Sequence, residues 1–381
     1  MANVYDTIVI GGGAIGASCA WQIAKSNRSV LLLERGRLGG EASSAAAGML
    51  GAQLEVSRSG PFFQLCLESR RLYPEFAEQL LVETGIDIQL VQNGILQVAA
   101  DEETANRLRQ RLAWQLEAGG SGEWWSAADV VKREPLVAPG VGAVFLPDDG
   151  NVNAALLARA VGEAARKHAE VREGAYVTAI KPEPTGVAVS TPEETFLAEQ
   201  VVLAAGAWAH GFLSALGVSF PIHPVKGQLL AIRPRQATLT HTIHTESVYL
   251  VPKRDGTIVV GATEEHGAGF DREITARGLT KLLQGLAQAA PGLADAVFER
   301  AWTGLRPGSA QGEPLIGRLP ELPQVIVAVG HFRNGVLLSP VTARIVRSIL
   351  DEQPQPELWS AFAPDVVLRR SNLIQPEEAS L

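Results

Sequence analysis

Hydrophobic residues fall along this chain in two kinds of run. Short unbroken apolar stretches read as strands buried on both faces, and longer stretches with apolar residues every three or four positions read as helices with one buried side. Thr7–Ile10 predicts a strand, Ala14–Lys25 a helix and Ser29–Leu33 a second strand, with a glycine turn between the first two. Pro61–Thr84 carries Phe63, Leu67, Tyr73, Phe76, Leu80 and Leu81 at helical spacing, and Gly85 ends it. A strand over Asn93–Ala99 and a helix over Glu102–Ala118 follow. Trp124 and Trp125 open a new segment, read as core, and Ser126 is a natural N-cap for Ala127–Arg133. Asp149-Gly150 signals a turn, Asn153–His168 a helix and Ala175–Ile180 a strand.

Two later segments repeat the opening pattern of apolar strand, glycine and helix. Gln200–Leu203 runs to Gly206, with a short helix opening at Ala207-Trp208, and Val325–Val329 runs to Gly330, with a helix over Val336–Leu350. Between them the period changes to alternation. Gln228–Ile232, Ser247–Val251 and Thr257–Gly261 read as antiparallel strands, with Asp255-Gly256 as a hairpin turn, a helix near Leu279–Ala289 and a returning strand over Phe298–Leu305. The expected fold is α/β: a discontinuous Rossmann-like nucleotide domain and a second α+β domain built on an antiparallel sheet. The expected boundaries are 1–85, 149–218 and 302–365 for the first domain and 86–148 and 219–301 for the second, with 366–381 a polar, disordered tail.

Composition narrows the partners. A chain of 381 residues is long for one hydrophobic core, and 46% hydrophobic with 19% charged residues is ordinary for a soluble enzyme. A net charge of −8 and no Lys/Arg-rich run speak against nucleic acid. Residues 7–24 are uncharged, but glycines interrupt them and no basic residue precedes them, so neither a signal segment nor a membrane span is expected. Cys19 and Cys66 are too few for a disulfide framework and read as small buried hydrophobes. A cytoplasmic enzyme fits these features.

The chemistry begins at the first glycine turn. Gly11, Gly13 and Gly16 have G-x-G-x-x-G spacing between strand and helix, which permits a tight turn, backbone approach to a pyrophosphate and close packing of helix on strand. The helix start at Ala14 and Ile15 offers unpaired N–H groups to phosphate. Glu34 ends the second strand 18 residues beyond Gly16, where an acid accepts hydrogen bonds from ribose hydroxyls. Arg35–Met49 is a run of small residues that includes Ala42, Ser43, Ala47 and Gly48; it is either backbone lying against a flat ligand or a flexible loop and helix start. No Ser-His-Asp set, metal cluster or placed carboxylate base is visible. A lone His331 or His244 is unassigned.

With these pieces in view, the sequence resembles the D-amino-acid oxidase family of flavoproteins, and within it most nearly the bacterial glycine-oxidising members. The resemblance is carried by Gly11–Gly16, Ala45–Leu50, Val251-Pro252, Thr303–Pro307 and Gly330–Gly335, in the family's order. It implies FAD, held noncovalently, since no cysteine stands near Arg306 or Gly330 and no histidine in Ser43–Met49. It places Glu34 and Arg35 at the adenosine ribose, Ala14 and Ile15 at the pyrophosphate, Ala42, Ser43 and Ala47–Met49 along the ribityl chain and ring, and Val177 at the adenine. Gly206 and the junction His331, Phe332, Arg333, Asn334, Gly335, Val336 and Leu337 complete the cofactor set. For substrate it implies Arg306 as a bidentate carboxylate partner, Tyr249 as a further hydroxyl donor, Arg333 as a second active-site arginine, and Met49 beside them.

The implied reaction takes glycine, sarcosine or a small D-amino acid, in no order the residues settle, by hydride transfer from Cα–H to flavin N5. The products are a 2-oxo acid, ammonia and, with O₂ as acceptor, hydrogen peroxide. A quinone acceptor is the rival within this fold. The resemblance further implies a role in the thiazole branch of thiamine biosynthesis and a homotetramer.

Overall fold

The opening strand Val4–Ile10, helix Ala14–Ala24 and strand Val30–Glu34 follow one another as the apolar pattern predicts. They come from a computed structural model that describes residues 4–309 and 312–373. The chain divides into two compact units, one made of residues to Ser43, Ala158–Pro224 and Arg306 onward, the other of Ser44–Leu157 and Val225–Leu305.

In the first unit, Val4–Ile10 lies between Val30–Glu34 and Thr195–Leu203; Leu322–Val329 extends the sheet on one side and Glu170–Glu173 on the other, all in parallel. Register places Ile10 beside both Leu33 and Leu203. Alternate residues Ile8, Ile10, Leu31, Leu33, Val201, Leu203, Val325 and Val327 share one core, which is why these strands are apolar without interruption. Their neighbours Val9, Leu32, Val202 and Ile326 are equally buried on the opposite face. Helix Ala14–Ala24 packs against helix Ser339–Leu350. Leu315–Leu319 closes one edge antiparallel to Leu322–Val329.

The second unit is built on an eight-stranded sheet in the order Val297–Ser309, Ile222–Arg233, Ile258–Gly261, Tyr249–Pro252, Thr242–His244, Ile95–Ala99, Gly142–Leu146 and Glu123–Ser126. From Ile222–Arg233 to Glu123–Ser126 neighbouring strands pair antiparallel except that Thr242–His244 runs parallel to Ile95–Ala99, two segments far apart in sequence that no hairpin joins. Helix Ala276–Ala289 covers it, packing Leu282 and Leu286 onto Leu230, Ile232, Leu250, Ile258 and Val260. The fold is mixed α/β.

Several expectations change. Residues 44–85 and 149–157, expected with the nucleotide domain, pack in the second unit. Ala175–Thr178 is not strand, because Ala175 N–H bonds Glu34 O while Thr178 N–H bonds Ser190 O, so no single ladder forms; the strand begins at Ala179. The last long helix starts at Ser339, not Val336, after a 3₁₀ turn over Phe332–Asn334. The turn expected at Asp149-Gly150 falls on Pro147-Asp148, and Asp149 beside it is wholly buried. Pro364–Leu373 is helical, where a disordered tail was expected; the rest of that tail, 374–381, lies outside the described residues. No helix among the described residues is long and apolar enough to cross a membrane, and no metal-binding cluster occurs among them.

Candidate functional site

The carboxyl end of the first unit's parallel sheet collects the glycine turn, Glu34, Ser43 and Gly206. Gly11 has φ +103° and donates to Leu33 O at 2.9 Å; a Cβ there would meet Ala204 O at 2.4 Å, so only glycine keeps the turn. At Gly16 a Cβ would lie 1.9 Å from Gly11 O, which is the close strand–helix approach the spacing requires. Gly12, unspecified by that spacing, is as constrained. Its Cβ would strike Leu38 Cδ2 at 2.4 Å, its O accepts from Gly39 N–H, and its N–H donates to Glu34 Oε2 at 2.7 Å. Gly11, Gly13 and Ile15 stay partly open while Gly12, Ala14 and Gly16 are buried, so the turn shows one backbone face outward.

Glu34 is 7% exposed and accepts from Gly12 N–H and, at 2.8 Å, from Gly36 N–H. Each carboxylate oxygen has one backbone donor and keeps lone-pair capacity for a diol. Arg35 lies with its guanidinium 3.5 Å from the Trp208 ring centroid and 3.0 Å from Glu41 Oε1, a stacked and paired cation beside the acid. The segment holding buried Val177 runs past Glu34 through the Ala175 N–H bond. Gly206, at φ +53°, has no atom within 4 Å of a built Cβ. Helix Ala14–Ala24 begins after Gly13, which has no side chain to cap it; Ser43 Oγ accepts from Ala14 N–H at 2.8 Å instead. This end of the unit fits a dinucleotide: a positive helix end, a glycine turn with room for backbone approach, and a buried carboxylate.

The third strand–glycine junction lies in the same unit. Gly330 has φ +76°, hemmed by Ile222, Phe220 and Ser309, and its carbonyl accepts from Ser309 Oγ. His331 is 2% exposed, its Nε2 lies 3.0 Å from Thr342 Oγ1, and burial pushes its pKa down to about 3, so the ring is neutral and acts as a tie to the following helix. Phe332 takes φ +46°, Asn334, Val336 and Leu337 are buried, Gly335 is half-buried, and Arg333 is exposed. Arg306 does not end its strand, as the sequence suggests; the strand runs on through Pro307 to Ser309, and Arg306 is half-buried in it.

In the second unit Ala47, Met49, Tyr249, Trp302 and Ala262 gather with Leu229, Val251 and Val259 in one small apolar cluster. Tyr249 is 7% exposed and lies flat on Gly261, where a Cβ would come within 2.5–2.6 Å of its ring and hydroxyl. Gly261 is therefore what seats the tyrosine. Gly48, at φ +82°, faces Val152, whose O would be 2.1 Å from a Cβ and whose N–H donates to Gly48 O. Met49 and Leu50 pair with Asn151 and Gly150. Under this pair Asp149 accepts from Arg70 Nη1 at 2.5 Å and from the N–H groups of Gln53 and Leu54; burial raises its pKa and Arg70 opposes the rise. The short helix Ala42–Ala45 precedes the loop.

Sequence reasoning missed Lys253, Trp302, Gly261, Trp208 and the Arg70–Asp149 pair. Lys253 follows Pro252 and is succeeded by Arg254 and Asp255, so it reads as one more surface charge at a hairpin.

Comparison with known proteins covers nearly the whole chain. Residues 6–349 match the family described as FAD dependent oxidoreductase, DAO. Glycine oxidase of Geobacillus kaustophilus is 38% identical over 357 residues, 93% of this chain and 94% of that protein. A crystal structure of glycine oxidase from that organism superposes with a TM-score of 0.90, covering 92% of this chain and 95% of that one. The bifunctional protein ThiO/ThiG of Synechocystis is 32% identical over 381 residues, which span 98% of this chain and 55% of that protein.

Proposed function

Because the chain belongs to the DAO family of FAD-dependent oxidoreductases, we propose that it is a glycine oxidase with noncovalently held FAD. In this reading the first unit carries the cofactor residues, and Tyr249 and Met49 of the second unit are substrate residues by family resemblance. The observation that carries the substrate reading is Tyr249, whose ring and hydroxyl lie on Gly261 in a small cluster that also holds Ala47, Met49 and Trp302. Likeness to glycine oxidases along the whole chain supports glycine, and likeness to ThiO/ThiG supports a product used in thiazole formation for thiamine.

Glu34 accepts the ribose hydroxyls, Ala14 and Ile15 present the helix end to phosphate, and the loop Ala42–Met49 lies along the rest of the cofactor. Arg306 takes the substrate carboxylate in two parallel bonds, Tyr249 adds a third, and Arg333 supplies a further cation. FAD held by these residues would supply the two-electron redox chemistry, with O₂ as the final acceptor. The protein's part is orientation and exclusion of water. Glycine thus loses two electrons and two protons to become an imine, and water converts that to glyoxylate and ammonia. His331, buried and bonded to Thr342 Oγ1, serves as a tie to the following helix and is given no proton-transfer role. The protein works in the cytoplasm as a homo-oligomer, a tetramer by family resemblance.

Arg306→Ala tests this reading. Leaving a carboxylate without its bidentate partner weakens glycine binding by roughly 2–5 kcal/mol, about 30-fold or more in apparent KM. FAD content and the flavin spectrum stay normal, Lys rescues poorly, and a carboxylate-free amine loses much less. An unchanged KM for glycine, measured by peroxide release, refutes it; turnover with a quinone and none with O₂ selects the dehydrogenase alternative.

A further inference from the structure

The loop from Ser44 to Leu50 has small side chains except at Met49 and Leu50, so few groups of its own can tie down the carbonyls of Ala45 and Ala47. Two side chains from the far half of the second unit do. Trp302 Nε1 donates to Ala45 O at 2.8 Å, and Lys253 Nζ donates to Ala47 O at 2.6 Å. The same ammonium donates to Val152 O at 2.8 Å and to Asn151 Oδ1 at 3.0 Å. An ammonium has three hydrogens, and here each meets one oxygen. Two of those oxygens belong to the segment that pairs with the loop through Met49 and Gly48.

We propose that Lys253 and Trp302 are positioning residues that fix the carbonyls of the loop 44–50 in the shape that receives the flavin, and so set FAD affinity and flavin environment without touching the cofactor. The inference rests on the reading that this loop lies along FAD. Lys253 is suited to the task because its backbone is itself fixed: Lys253 N–H donates to Thr257 O, and Gly256 N–H to Lys253 O, at the neck of the hairpin that turns at Asp255-Gly256. Asn151 is oriented by donating its own amide to Thr242 Oγ1, which leaves Oδ1 for the ammonium. Burial draws the Lys253 pKa down from 10.5 to about 7, with Asp255 opposing, while the residue as a whole is half-buried. Among the described residues the bonds of its ammonium go to two carbonyl oxygens and an amide oxygen, as in a fastening rather than an ion pair.

The test titrates FAD into apoprotein of Lys253→Met, Lys253→Arg and Trp302→Phe, reading the dissociation constant and the visible flavin band, with circular dichroism as the check on folding. Lys253→Met is expected to weaken FAD tenfold or more and shift the band. Trp302→Phe keeps the ring and loses one donor, and should weaken FAD severalfold; Lys253→Arg should recover part of the loss. A Lys253→Met dissociation constant within twofold of the parent, with an unmoved band, overturns the proposal. If Lys253→Met does not fold, Trp302→Phe decides: an unchanged affinity and band overturn it. Met49→Ala reads the loop assignment separately. If Met49→Ala leaves the flavin band and affinity unmoved, the placement of the loop along FAD fails; if it shifts them while the Lys253 and Trp302 variants do not, only the fastening fails.

Discussion

The glycine turn of the first unit and the small-residue loop of the second are both backbone surfaces made of glycine, alanine and serine, yet they are held in different ways. The turn is held from nearby: Gly12 to Glu34 spans 22 residues and Ala14 to Ser43 spans 29. The loop is held from afar: Lys253 reaches Ala47 across 206 residues and Trp302 reaches Ala45 across 257. A local device can be built while its neighbours are still forming, whereas the loop acquires its shape only once the whole second unit is folded. Damage to the second unit's interior should therefore reach the loop, and damage to the turn should stay local.

The largest test removes the loop's foundation. Asp149 is fully buried with Arg70 as its cation, and it also holds Gln53 and Leu54 N–H groups just beyond the loop. Asp149→Ala leaves those donors unpaired and the Arg70 guanidinium with only its longer contacts to Asp148 and Gln53, and costs about 3–5 kcal/mol by the general behaviour of broken buried pairs. Denaturant unfolding of the apoprotein measures it. A loss under 1 kcal/mol would show that the pair is solvated in solution.

Next in size is a pH effect confined to the first unit. Unfolded, His331 takes up a proton near 6.5; folded, it does so only near 3, because burial disfavours the charged ring. Between those values unfolding binds a proton, so stability rises with pH and is lost as pH falls. From pH 6.5 to 5 the loss is about 2 kcal/mol. His331→Gln can keep the bond to Thr342 but has no charge to gain, so the slope should flatten in melting curves across this range. An equal slope in the variant would place the acid sensitivity elsewhere.

The same contrast explains what the sequence could convey. Val4–Glu34 was legible because strand, glycines, helix and acid act within one short segment, and Pro61–Thr84 because period and Gly85 cap agree. The Asp149-Gly150 turn signal gives no hint that Asp149 is buried, because its cation, Arg70, lies 79 residues away. Lys253 had the company of surface charges, and Gly261 gave no sign that a tyrosine ring would lie on it. Ala175–Thr178 has strand composition, but its peptide groups are divided between Glu34 and Ser190. The Asp149 and Lys253 misses concern partners distant in sequence, whereas Gly261 and Tyr249 are cross-strand neighbours whose packing no residue pattern announces; Arg306 and Tyr249 were named from the family resemblance.

The smallest test sits where the two regions meet in sequence, at Ser43. Its Oγ accepts from Ala14 N–H and so caps a helix whose own N-cap residue is glycine. On the proposed cofactor reading the hydroxyl can also donate its own hydrogen to the cofactor, so it can serve helix and cofactor at once. Ser43→Ala removes the cap, which costs the apoprotein roughly 0.5–2 kcal/mol. It also removes that proposed donor, which should raise the FAD dissociation constant by up to about tenfold. Thr at this position keeps the hydroxyl and should restore both. Because the tie is local, the flavin band should barely move, in contrast to Lys253→Met. A Ser43→Ala apoprotein as stable as the parent would mean that water caps Ala14 equally well; a band shift as large as that of Lys253→Met would mean that the turn and the loop are not independently held.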